Sequence, residues 1–144
     1  MAKNMFKRFT ALLIVLFLLS FLSSCQATKK REYYSEKENY VDASGVLDSI
    51  YYNDDHTALY INFSETNPQF DDTCFKIVGI NLKTVTEKGL VDKVKAGDQV
   101  QFVTAPKYFG DGYVMPIVAL SINGENLLEF DEGFANLQIW LDGE

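Results

Sequence analysis

Ala58-Leu59-Tyr60-Ile61-Asn62-Phe63 decides the fold class. Leu59, Ile61 and Phe63 alternate with Ala58, Tyr60 and Asn62, the two-residue period of a strand with one face buried and the other wet. Upstream, residues 46–52 pair with this strand across Asn53-Asp54-Asp55-His56, a polar stretch suited to a hairpin loop. Leu47 and Ile50 stand three apart, so both point inward only if a bulge intervenes, and Gly45 at the entry fits a strongly bent first strand. Downstream, residues 64–73 hold Pro68, Asp71 and Asp72 and read as a loop. Residues 74–80 read as a third strand with Phe75 and Ile77 on one face and a bend at Gly79.

Beyond Gly79 the period changes. Asn81 is placed to cap a short helix that presents Leu82 and Val85, Gly89 to stop it, and Leu90 and Val94 continue the apolar stripe. Lys95-Ala96-Gly97-Asp98 supplies the turn into a fourth strand carrying Val100 and Phe102, which Pro106 ends. A fifth strand over 114–122 is apolar on both faces, as a strand covered on both sides should be, although Pro116 requires a bulge or an edge. Asn123-Gly124 is a tight-turn signal, and residues 125–130 return as a short added strand. Asp131 is placed to cap a last amphipathic turn or two in which Phe134, Leu137 and Leu141 share a face with Trp140 nearby, weakened by Gly133 by about 1 kcal/mol relative to alanine. The order strand, strand, strand, helix, strand, strand predicts a mainly β domain. It is similar to an OB-fold: a five-stranded barrel with a short helix between strands three and four, here followed by a C-terminal helical segment. Phe63, Phe75 and Phe102 are the expected interior.

The N-terminus carries a different signal. Lys3, Lys7 and Arg8 precede an apolar run over 9–22, and Leu22-Ser23-Ser24-Cys25 closes it with small residues before a cysteine. That is the layout of a secretory signal and its cleavage site. The last four residues resemble the lipobox of bacterial prolipoproteins. The resemblance implies a diacylglyceryl thioether on Cys25 and cleavage between Ser24 and Cys25. The competing reading is an uncut transmembrane anchor, since residues 9–28 hold no charge, but Ser23, Ser24, Gln26 and Thr28 dilute the apolar part. In either case the domain faces outward from the membrane. Three segments are expected: a signal peptide over 1–24, a lipidated flexible tether over 25–40 rich in charge, and a globular domain over 41–144. Taken together the chain resembles the OB-like domains of small bacterial lipoproteins, a likeness that implies a fold without fixing a ligand.

From residue 41 onward there are six Lys, no Arg and seventeen Asp or Glu, a net charge of −11. Such a surface repels phosphate backbones and lacks the guanidinium fork that phosphate recognition prefers, so no nucleic acid partner is expected. Cys25 and Cys74 are the only cysteines. With Cys25 lipidated, Cys74 has no partner in the chain and reads as a small buried hydrophobe rather than a nucleophile aided by His56, the single histidine. Asp54-Asp55, Asp71-Asp72 and Asp131-Glu132 match no calcium-loop spacing and read as solvated turn acids, so no metal and no cofactor is expected.

The connection over 107–113 is the most specific hint of a site, because in OB-folds the loop between strands four and five borders the ligand face. Tyr108, Phe109 and Tyr113 are the candidate binding residues, their rings suited to stacking on sugar rings or packing against a partner protein. The bland alternative is that Phe109 or Tyr113 folds back to plug the barrel mouth. The expected function is that of a membrane-anchored, non-catalytic binding or accessory module for envelope protein or glycan. A structural or assembly subunit docking to another envelope membrane protein is the alternative, and no catalytic residue is identified.

Overall fold

The computed structural model describes residues 27–107, 109 and 115–143. The chain divides into two compact units, Met1–Tyr33 and Tyr34–Glu144. A helix, α1, covers 27–35, and the rest of the described chain belongs to the second unit.

The fold is mainly β. The strands are β1 (Val41–Tyr52), β2 (Ala58–Asn67), β3 (Cys74–Val78), β4 (Gln99–Thr104), β5 (Met115–Ile122) and β6 (Glu125–Leu128). They form one six-stranded sheet of order β3-β2-β1-β4-β5-β6. Neighbours in that order are antiparallel, and β3 additionally pairs with β5 in parallel through Phe75 with Met115 and Lys76 with Pro116. Helices α2 (Gly79–Glu87) and α3 (Leu90–Lys93) lie between β3 and β4, and α4 (Phe130–Asp142) closes the chain.

The local reasons are those of the residue pattern. Leu59, Ile61 and Phe63 are buried, as their alternation requires. The register of β1 against β2 slips around Leu47, between Val46 and Ser49, which is the bulge that lets Leu47 and Ile50 both face inward. A β-carbon on Gly45 would stand 2.6 Å from the Phe63 ring, so glycine here lets the bent strand lie against an aromatic side chain. The turn at 95–98 locks onto that bulge, since the Leu47 N–H donates to the Asp98 carbonyl at 2.9 Å and the Gly97 N–H to the Leu47 carbonyl at 2.7 Å. Inside, Phe63 stacks on Phe102 at 4.7 Å and Phe75 meets both edge-on.

Several expectations are corrected. The first strand begins at Val41 rather than near Gly45, because Val41 to Val46 pair with β4 and Ala43, small as it is, faces the core. Asn81 is not a helix cap. It is the third residue of α2, is buried, donates to the Gly133 carbonyl at 2.8 Å and accepts from the Asn136 amide at 3.0 Å, tying α2 to α4. The final helix starts at Phe130, so the added strand is shorter than residues 125–130.

The tether expected to run through residue 40 ends earlier. Tyr34 is only 2% exposed and its hydroxyl donates to the Lys107 carbonyl at 3.0 Å. Its own carbonyl accepts from the Gln138 amide at 2.9 Å and from the Tyr40 hydroxyl at 2.8 Å. Tyr40 sits edge-on to Phe130 and Phe134 of α4. Residues 34–40 therefore form a strap on the domain. Charge along this stretch favours a solvated spacer, but the tyrosines supply the buried contacts that hydropathy averaging conceals.

Candidate functional site

Of the aromatic residues expected to present a ligand face, Tyr108 and Tyr113 lie outside the described residues, as does the lipidation candidate Cys25. Phe109 is described, and its ring takes the folded-back alternative rather than an exposed position. It is 9% exposed, meets Tyr34 edge-on at 5.6 Å and has the Lys107 ammonium 5.1 Å from its ring centre. Phe109 folds back because the strap brings it a partner from the N-terminal side.

An exposed aromatic surface exists elsewhere. Tyr51 of β1 and Tyr60 of β2 are register partners, and their rings stack at 5.4 Å with an interplanar angle of 24°. Tyr51 is 49% exposed. Because Leu59, Ile61 and Phe63 turn inward, Tyr60 and Asn62 share the outer face, where the Asn62 amide donates to the Ser49 hydroxyl at 3.1 Å. The sequence signal was the alternation itself, which puts Tyr60 outward. What it could not show was the register that sets Tyr51 beside it.

Cys74 opens β3 opposite Asn62 and borders this face. It is half-buried rather than fully buried. Burial pushes its thiol pKa up from the ordinary value of 9.0, the Asp72 carboxylate pushes it further, and a hydrogen bond with Tyr51 acts in the opposite direction. Raised pKa means less thiolate at neutral pH, hence a poor nucleophile. His56 sits in the β1–β2 turn beside the Tyr52 ring at 4.9 Å. Six residues along the strand direction separate it from the register position of Cys74, roughly 20 Å. The two do not make a dyad.

A second feature is a cleft of about 440 Å³ on the outer side of β1, β4 and β5, where β6 turns into α4. Asp42, Ser44, Gln101, Ser121, Asn126 and Glu129 contribute its polar groups. Among the described residues no group of three or more His, Cys, Asp or Glu is arranged to hold a metal ion, and no helix is long and apolar enough to cross a membrane.

A comparison of the chain with protein-family models, with curated proteins and with solved structures found no match. The site is read from its own chemistry.

Proposed function

We propose that this protein is a lipoprotein anchored in the cell membrane through a lipid on Cys25, facing outward from the cytoplasm. In this reading its β domain is an OB-fold-like barrel that binds an envelope glycan or protein without catalysing a reaction. The barrel reading is supported by the parallel pairing of β3 with β5, which links the two ends of the run β3-β2-β1-β4-β5, and by the helices between β3 and β4. The anchor reading rests on Leu22-Ser23-Ser24-Cys25 after a cationic and apolar leader.

The observation that carries the binding reading is the exposed Tyr51–Tyr60 stack. Two rings stacked within 24° of parallel hold one another in place, so little entropy is lost when a ring-shaped ligand or a partner side chain packs against the exposed pair. In OB-folds the face around strands two and three is where extended ligands lie, and Tyr60, Asn62 and Cys74 belong to those strands. The docking-subunit alternative has less to stand on. Leu137 and Leu141 of α4 are buried in the domain itself, and Ile139, 60% exposed, stands on the helix's other side.

The test replaces Tyr51 and Tyr60 together by alanine and measures binding to purified envelope glycan fragments and to detergent-extracted envelope proteins. Loss of the stacked pair costs about 1 kcal/mol, so the domain stays folded. Binding should disappear. Undiminished binding by the folded double variant would remove this face from the function.

A further inference from the structure

The cleft beside β6 carries an arrangement that runs across four strands. Ser44 of β1 is the register partner of Gln101 of β4, Gln101 of Ser121 of β5, and Ser121 of Asn126 of β6. Four hydroxyl or amide side chains thus form one row across the sheet, about 14 Å from end to end at the usual strand spacing. The row faces away from the core, since Ala43, Phe102, Leu120 and Leu127 are buried on the other side. Beside it runs a second row, Asp42, Val103 and Ala119, again register partners. Val103 and Ala119 give a low apolar floor. Phe130 forms a wall where α4 begins, held edge-on to Tyr40 at 6.0 Å.

Three chemistries therefore meet in one cleft: a hydrogen-bonding row, an apolar floor with an aromatic wall, and two carboxylates, Asp42 and Glu129. Among the described residues no cationic side chain lines it; the nearest to its wall is Lys37, whose ammonium lies 5.5 Å from the Phe130 ring centre and is paired with Asp131 at 2.8 Å. The Asn126 amide donates to a Glu129 carboxylate oxygen at 2.6 Å, which holds that carboxylate at the cleft. The Ser121 hydroxyl donates to the Glu125 carbonyl at 3.1 Å, leaving its lone pairs to accept from outside.

We propose that this cleft is a binding site for an amine-bearing saccharide. A sugar ring presents C–H bonds on its face and hydroxyls around its rim, matching the Val103–Ala119 floor and the Ser44–Gln101–Ser121–Asn126 row. Its size lies within the range of small-ligand sites, about 300–1,000 Å³. The carboxylates decide the charge. They repel sugar acids and phosphates and attract an ammonium, and the net charge of −11 from residue 41 onward adds to that preference. The cleft shares no residue with the Tyr51–Tyr60 face, so it stands or falls separately from the reading above.

The test titrates the full-length protein with a β-linked glucosamine disaccharide and with its N-acetylated counterpart, following backbone amide chemical shifts. The amine form should bind with shifts centred on Ser44, Gln101 and Ser121, and N-acetylation should weaken binding at least tenfold. Asp42→Asn combined with Glu129→Gln should bring the amine form down to the acetylated one, while Gln101→Leu should weaken both. These substitutions are nearly isosteric and exposed, and an unchanged melting curve verifies the fold. Absence of binding at millimolar sugar would overturn the proposal, as would equal affinity for the two sugars or undiminished binding by the charge-neutral double variant. Shifts confined to Tyr51 and Tyr60 would also overturn it, while agreeing with the function proposed for that face.

Discussion

The backbone of Gly133 in α4 lies against Val118 of β5 so closely that a β-carbon on it would overlap the Val118 carbonyl group. A helix interior ordinarily disfavours glycine by about 1 kcal/mol against alanine, so propensity alone makes Gly133→Ala stabilising. Contact with a backbone carbonyl reverses the sign, because a sheet backbone cannot swing aside as a side chain can. The expected net loss is about 1–3 kcal/mol. Thermal unfolding of the variant checks it: a melting temperature at or above that of the parent would mean that α4 does not press on β5 here.

Phe102 is the centre of the ring cluster, stacked on Phe63 at 4.7 Å and edge-on to Phe75 at 4.9 Å. Phe102→Ala should cost about 3–5 kcal/mol, since a buried ring forfeits transfer energy and leaves a cavity. That is a large share of a small domain's stability. Denaturant titration gives the number, and a loss below 1 kcal/mol would contradict the cluster.

Tyr34→Ala removes the edge contact with Phe109 and the donor to the Lys107 carbonyl. Residues 34–40 should then exchange their amide hydrogens and admit protease much faster, while β1, β2 and β4 keep their protection. Uniform loss of protection would mean that the strap is part of the core. No change at all would mean that Tyr34 does not hold it.

Cys74 should react slowly with thiol reagents at neutral pH, because burial and Asp72 hold its pKa above the ordinary 9.0. The reactive species is the thiolate, so the rate should climb about tenfold per pH unit up to the raised pKa. Asp72→Asn removes the like charge, lowers the pKa and should speed labelling at any fixed pH below it. Labelling as fast as a free thiol at pH 7 would contradict this account.

Replacing Cys25 by alanine should abolish incorporation of labelled fatty acid and leave the precursor uncut, since the proposed thioether is both the membrane tie and the signal for cleavage. Fatty-acid label retained in Cys25→Ala would refute the anchor.

Much of the architecture is written in short-range pattern. Leu59, Ile61 and Phe63 declare their strand, the spacing of Leu47 and Ile50 declares a bulge, and Asn123-Gly124 declares its turn, where both residues have positive φ. What pattern conceals is whatever depends on partners far along the chain. Asn81 has the chemistry of a cap, yet its bonds go to residues 52 and 55 positions away. The start of β1 is hidden because Asp42 and Ser44 are polar and Ala43 is small, and only β4 gives those residues a reason to be extended. The candidate sites are the extreme case. Tyr51 with Tyr60 needs one strand register, and the row from Ser44 to Asn126 needs three.

The docking of Tyr34 also sets a length. Nine residue steps separate Cys25 from Tyr34, and because residues 27–34 lie in α1 at about 1.5 Å per residue the reach is at most about 18 Å, whereas an extended chain through Tyr40 would have spanned about 50 Å. Confinement scales with the cube of reach. With a lipid at Cys25, the attachment point on the domain would search a volume about twentyfold smaller than an extended spacer allows, and the effective concentration of a partner in the membrane would rise by that factor. The strap would thus act on encounter frequency, leaving both proposed binding faces untouched.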